Sequence, residues 1–85
     1  DKRILNLREE IDKIDEKIIT LLKSRMDVSK TVGELKAALH IPVEDKGREE
    51  EIIQRLGELA DANLKEEQLI KIFTAVFKSS KQIQE

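Results

Sequence analysis

Residues 4–39 read ILNLREEIDKIDEKIITLLKSRMDVSKTVGELKAAL, and their spacing decides the fold. Positions 4, 7, 11, 14, 18, 21, 25, 28, 32, 35 and 39 alternate steps of three and four, the heptad pattern of one long helix with a continuous seam. They are Ile4, Leu7, Ile11, Ile14, Ile18, Leu21, Arg25, Val28, Val32, Leu35 and Leu39, so a single arginine interrupts an apolar row. Such a helix extends roughly 50 Å at about 1.5 Å per residue, longer than a compact domain of this size is wide. Its seam cannot be buried within one subunit, and a partner is expected.

Outward from that helix, His40 to Gly47 is the only connection of any length that carries both proline and glycine. The residue before a proline avoids the helical region, so the first helix should end just before Pro42. Asp45 is a suitable N-cap for a second helix on which Ile52, Ile53, Leu56, Leu59 and Ala60 recur at helical spacing. Ala60 to Asn63 reads as a turn. Glu66 and Glu67 then favour a helix N-terminus electrostatically, and Leu69, Ile70, Ile72, Phe73, Val76, Phe77 and Ile83 trace a third apolar stripe. The expectation is an all-α chain occupying 1–85 as one domain, with helices at about 2–39 (long), 46–60 (short) and 65–84 (medium) and a loop at about 40–45.

Composition narrows the function classes. Charged residues make up 40% of the chain, and the apolar 39% is nearly all aliphatic, the mix of soluble amphipathic helices. Acids and bases are interspersed at a net charge of -2, which lacks the basic footprint of nucleic-acid binding. No apolar run approaches the roughly 18 residues that span a bilayer, and the start does not resemble a secretory signal, so no membrane role is expected and the cytoplasm is the default. There is no cysteine and His40 is the sole histidine. Thiolate nucleophiles, Cys-ligated zinc, a Ser/His/Asp triad and a two-histidine metal site are therefore out of reach of one chain, and neither metal nor cofactor is expected. The chain begins at Asp1 without an initiator methionine and ends Gln84-Glu85, which fits a piece trimmed from something larger.

A buried arginine without partners costs several kcal/mol, so Arg25 in the seam needs a reason. Two readings stand side by side: a buried salt bridge or register-setting position, and a pocket residue that pairs with a ligand anion. Other stripes carry polar groups too. Glu49 lies three, four and seven residues before Ile52, Ile53 and Leu56, on their face of the second helix, and Ser80 and Gln84 continue the face of Phe73, Val76 and Phe77. Lys36 is displaced roughly 16 Å along the axis from Arg25, close enough for both side chains to lean over one ligand. Arg8 is roughly 25 Å from Arg25 on the same straight helix and reaches such a site only from the helix of a second subunit, as an antiparallel dimer allows. Arg48 adds a cation beside Asp45 and Glu49.

These residues carry a resemblance. The chain resembles the all-α chorismate mutases, the AroQ class, over nearly its whole length: Leu7-Arg8-Glu9-Glu10-Ile11-Asp12-Lys13-Ile14-Asp15, Arg25, Val32-Gly33-Glu34-Leu35-Lys36, Pro42-Val43-Glu44-Asp45-Lys46-Gly47-Arg48-Glu49, then Ser80 and Gln84. The resemblance implies an intertwined helical homodimer with two active sites, rearranging chorismate to prephenate in aromatic amino-acid biosynthesis. It implies that Arg25 and the Arg8 of a second copy hold the substrate carboxylates, that Lys36 and Gln84 donate to the ether oxygen, and that Glu49 accepts from the ring hydroxyl. Asp45, Arg48 and Ser80 would complete the lining. Two alternatives remain: an isochorismate pyruvate lyase, which shares the fold, and a non-catalytic dimerisation or regulatory module of a fused shikimate-pathway enzyme.

Overall fold

The computed structural model describes residues 1–85 as three helices, α1 (Lys2–Ala38), α2 (Lys46–Gly57) and α3 (Glu66–Gln84), with no strand. Asp1 caps α1, its side chain accepting from the Arg3 amide at 2.8 Å, and neither proline nor glycine interrupts the next thirty residues. The helix stops in a Schellman turn: the Ile41 amide donates to the Lys36 carbonyl at 2.8 Å and the His40 amide to Ala37 at 3.3 Å. His40 occupies the left-handed position at φ 56°, a place that more often holds glycine. Asp45 caps α2 by accepting from the Arg48 amide at 3.0 Å.

Three boundaries differ from expectation, that of α1 by one residue, since it ends at Ala38 in place of 39. α2 ends at Gly57, three residues short of the expected 60, because the chain tightens into i→i+3 bonds, Leu59 to Leu56 and Ala60 to Gly57. Leu59 and Ala60 keep the apolar rhythm, yet Leu59 is 73% exposed and its rhythm reports no packing. Then Asp61 folds the turn over itself, its side chain accepting from the amides of Asn63 and Leu64 at 2.9 Å. α3 begins one residue later than expected, with Gln68 accepting from the Lys65 amide at 2.9 Å and Glu66 and Glu67 in the first turn.

α3 packs against both other helices, whereas α1 and α2 do not pack on each other. The space left between them is a cleft floored by α3. The small core holds Ile52, Leu69, Val76 and Phe77, with Phe73 set edge-on to Phe77 at 6.1 Å between ring centroids. α1 meets α3 along Leu22, Met26, Ser29, Gly33 and Lys36, a three-four stripe displaced one position from the apolar seam. The tightest approach is at Gly33, where a Cβ would lie 2.7 Å from the Cα of Gln84.

The seam itself stays open. Leu21 is 70% exposed and Val28 65%, and every residue from Asp1 to Leu21 is solvent-facing. The N-terminal half of α1 projects beyond the other helices, giving the molecule extents of 57 × 23 × 14 Å and a radius of gyration of 16.2 Å, where a compact chain of this length would show about 12 Å.

Candidate active site

The cleft between α1 and α2 encloses about 370 Å³. α1 contributes Arg25, Ser29 and Lys36 along with the apolar Val28 and Val32, and the connecting loop contributes Val43 and Asp45. Arg48, Glu49 and Ile52 come from α2, and Phe77, Ser80, Lys81 and Gln84 from the α3 floor. Seven of the eight residues singled out in the sequence therefore meet in one place, and Arg8 does not. Arg8 is exposed on the projecting half of α1, roughly 25 Å away along the helix by its rise per residue.

Arg25 lies at one end. Its guanidinium donates to the Ser80 hydroxyl and stacks 5.9 Å from the Phe77 ring centroid, while Ser29 and Met26 back the same hydroxyl. Burial pulls the Arg25 pKa below the ordinary guanidinium range, and the positive charge of Arg48, across the cleft on α2, pushes the same way. Lys36 lies at the other end, its ammonium donating to the Val43 carbonyl at 3.0 Å and to Gln84 Oε1 at 3.2 Å. Because Gln84 accepts through its oxygen, its amide N–H groups remain for another acceptor.

Neither cation has a carboxylate partner within the chain: the ion pairs run Arg3–Asp1, Arg48–Glu51, Lys71–Glu67, Lys81–Glu44 and Lys81–Glu49. The salt-bridge reading of Arg25 thus finds no acid in its own subunit. Four cations and two carboxylates line the cleft, leaving a surplus of positive charge around apolar walls. That arrangement suits a small dianion with an apolar body.

The spacing argument passed over Lys81. Its ammonium bridges Glu44 at 3.1 Å and Glu49 at 3.3 Å, joining the loop and α2 to α3. A signal for it was present, since Lys81 stands four residues after Phe77 and three before Gln84 on their shared face. Ser29, which backs Ser80, was likewise visible only as a hydroxyl beside the seam.

Fold and cleft together define a small all-helical protein whose cleft carries a surplus of positive charge. Comparison with known proteins makes that class specific. The family model for chorismate mutase type II matches residues 7–85, and the chain belongs to that family. It is 36% identical to a chorismate mutase of Methanocaldococcus jannaschii over 98% of this chain and 85% of that one. It is 35% identical to a bifunctional chorismate mutase/prephenate dehydratase of Escherichia coli over 91% of this chain, which spans 20% of that longer protein. Among solved structures, a conserved hypothetical protein from Pyrococcus furiosus superposes with a TM-score of 0.84 at 38% identity, covering 100% of this chain and 99% of that one.

Proposed function

We propose that this chain is a chorismate mutase, carrying out the rearrangement of chorismate to prephenate that leads to phenylalanine and tyrosine, as a cofactor-free cytoplasmic homodimer of single-domain subunits. The observation that carries the reading is the pair of uncompensated cations, Arg25 and Lys36, at the two ends of one cleft in a chain of this family. A desolvated guanidinium without a counterion is unfavourable in the free protein and becomes favourable when a carboxylate arrives.

The dimer is supported by exposed surface. The chain leaves 7215 Å² accessible, where a compact protein of its mass would leave about 5200 Å². Covering that excess on two copies would bury an area of the size typical of obligate dimers, roughly 2,000–5,000 Å². An antiparallel pairing of the projecting halves would cover Ile4, Leu7, Ile11, Ile14 and Ile18 and carry the partner's Arg8 into the open side of the cleft.

A rearrangement within one molecule needs no nucleophile and no proton transfer, so geometry and charge supply the catalysis. Arg25 and the partner's Arg8 would each grip one carboxylate in a bidentate fork, folding the substrate so that its reacting carbons approach. Val28, Val32, Ile52 and Phe77 would press on the ring. As the carbon–oxygen bond breaks, negative charge grows on the ether oxygen, and Lys36 and the Gln84 amide would donate to it there. Glu49 would accept from the ring hydroxyl, with Asp45, Arg48 and Ser80 completing the polar wall. Loss of one ether-oxygen donor should cost about 3 kcal/mol of transition-state stabilisation.

The test is direct. Purified protein should consume chorismate, with its ultraviolet absorbance falling and prephenate accumulating. Release of pyruvate would instead establish a lyase, and an inert protein would establish a non-catalytic module.

A further inference from the structure

We infer that Lys81 is a positioning residue, a latch that ties the connecting loop and Glu49 to α3 and so holds the Lys36 end of the cleft in its working shape. The inference rests on the chorismate mutase reading for its kinetic part and on the fold alone for its structural part.

Lys81 is the one side chain that joins three elements by charge: Glu44 in the loop at 3.1 Å, Glu49 on α2 at 3.3 Å and its own helix. Val43, next to Glu44, offers its carbonyl to the Lys36 ammonium at 3.0 Å, and Lys36 in turn reaches Gln84 at 3.2 Å. A continuous chain of contacts therefore runs from Lys81 through Glu44 and Val43 to the donor proposed for the ether oxygen. Glu49, Phe77 and Lys81 also line both the cleft and a second groove on the outer side of α2 and α3. The Lys81–Glu49 pair is thus the partition between the two, and releasing it would free the Glu49 end of the cleft wall to move. Pairing with Glu44, then with Glu49, raises the Lys81 pKa above its ordinary 10.5, so the latch is charged throughout the neutral range.

Glu44 separates a latch from a substrate contact, because it does not line the cleft. In Glu44→Gln and Lys81→Met proteins, hydrogen exchange at the Arg48 and Glu49 amides, which donate to Asp45 at 3.0 and 3.1 Å, should rise about two- to fivefold, the weight of one partly exposed ion pair. In the same proteins kcat should fall about fivefold with KM changed less than about twofold, since the geometry of a transition-state donor is lost while the carboxylate grips remain. The double variant should be no slower than Lys81→Met, and Lys81→Arg should restore most of the rate. Unchanged exchange at these two amides in both single variants would overturn the latch whatever the protein's activity. A slow Lys81→Met beside a fully active Glu44→Gln would also overturn it, assigning Lys81 to direct substrate contact. If the wild-type protein leaves chorismate untouched, the mutase reading fails, and the exchange experiment still decides the latch.

Discussion

At the scale of single residues, Arg25 shows a conflict between stability and function. Its lowered pKa means that the folded chain binds the guanidinium proton less tightly than the unfolded chain does. The charge therefore costs stability at every pH below the folded pKa, and the cost is relieved only as pH rises through the strongly alkaline window between the folded and unfolded values. Arg25→Met should accordingly leave the urea midpoint at neutral pH unchanged or higher, while abolishing activity. A destabilised Arg25→Met protein would show that Ser80 and Phe77 hold the arginine for structural reasons. Most of the cleft was legible in the sequence because each polar residue broke a helical stripe: Arg25 among the seam leucines and valines, Glu49 below Ile52 and Ile53, Ser80 and Gln84 beyond Phe77. Lys81 was less legible, because a lysine on an exposed-looking turn is ordinary until Glu44, thirty-seven positions earlier, is seen beside it.

At the scale of elements, Gly33 sets how closely α1 and α3 cross. A glycine inside a long helix costs about 1 kcal/mol relative to alanine, so its presence signals that something approaches closely, but not what approaches. The structure supplies Gln84, whose Cα, Cβ and Cγ would lie 2.7, 2.9 and 2.9 Å from an added methyl. Gly33→Ala should destabilise the protein by about 1–2 kcal/mol despite the better helix propensity, since backbone rather than a flexible side-chain tip must move. It should also slow catalysis, because Gln84 would be pushed away from Lys36. An unchanged urea midpoint would mean that the crossing is loose. Long, strongly periodic α1 was readable to within one residue, whereas the end of α2 was not: Leu59 and Ala60 keep the helical rhythm past Gly57, Leu59 while 73% exposed. Which stripe of α1 faces α3 was hidden as well. The apolar seam draws the eye, yet the stripe beside it, with Ser29, Gly33 and Lys36, makes the contact within the chain.

For the whole molecule, the decisive feature is what one chain leaves undone. The seam from Ile4 to Leu21 is bare, the cleft is open, and the one arginine of the expected set that stands outside it is on the bare segment. The length of α1 made that incompleteness visible from the sequence, because a helix of roughly 50 Å has no cover in a chain this short. The pairing geometry was not visible, since a heptad seam fits parallel and antiparallel partners alike. The proposed antiparallel dimer makes each site a joint product of two subunits. Arg8→Ala and Arg25→Ala proteins, each inactive alone, should therefore complement when mixed in equal amounts and allowed to exchange. Random pairing gives one intact site in each heterodimer and a recovery of about a quarter of wild-type activity. Exchange is verified by mass spectrometry of the mixed dimers. Recovery at that level would establish the shared site, and formation of heterodimers with no recovered activity would contradict it.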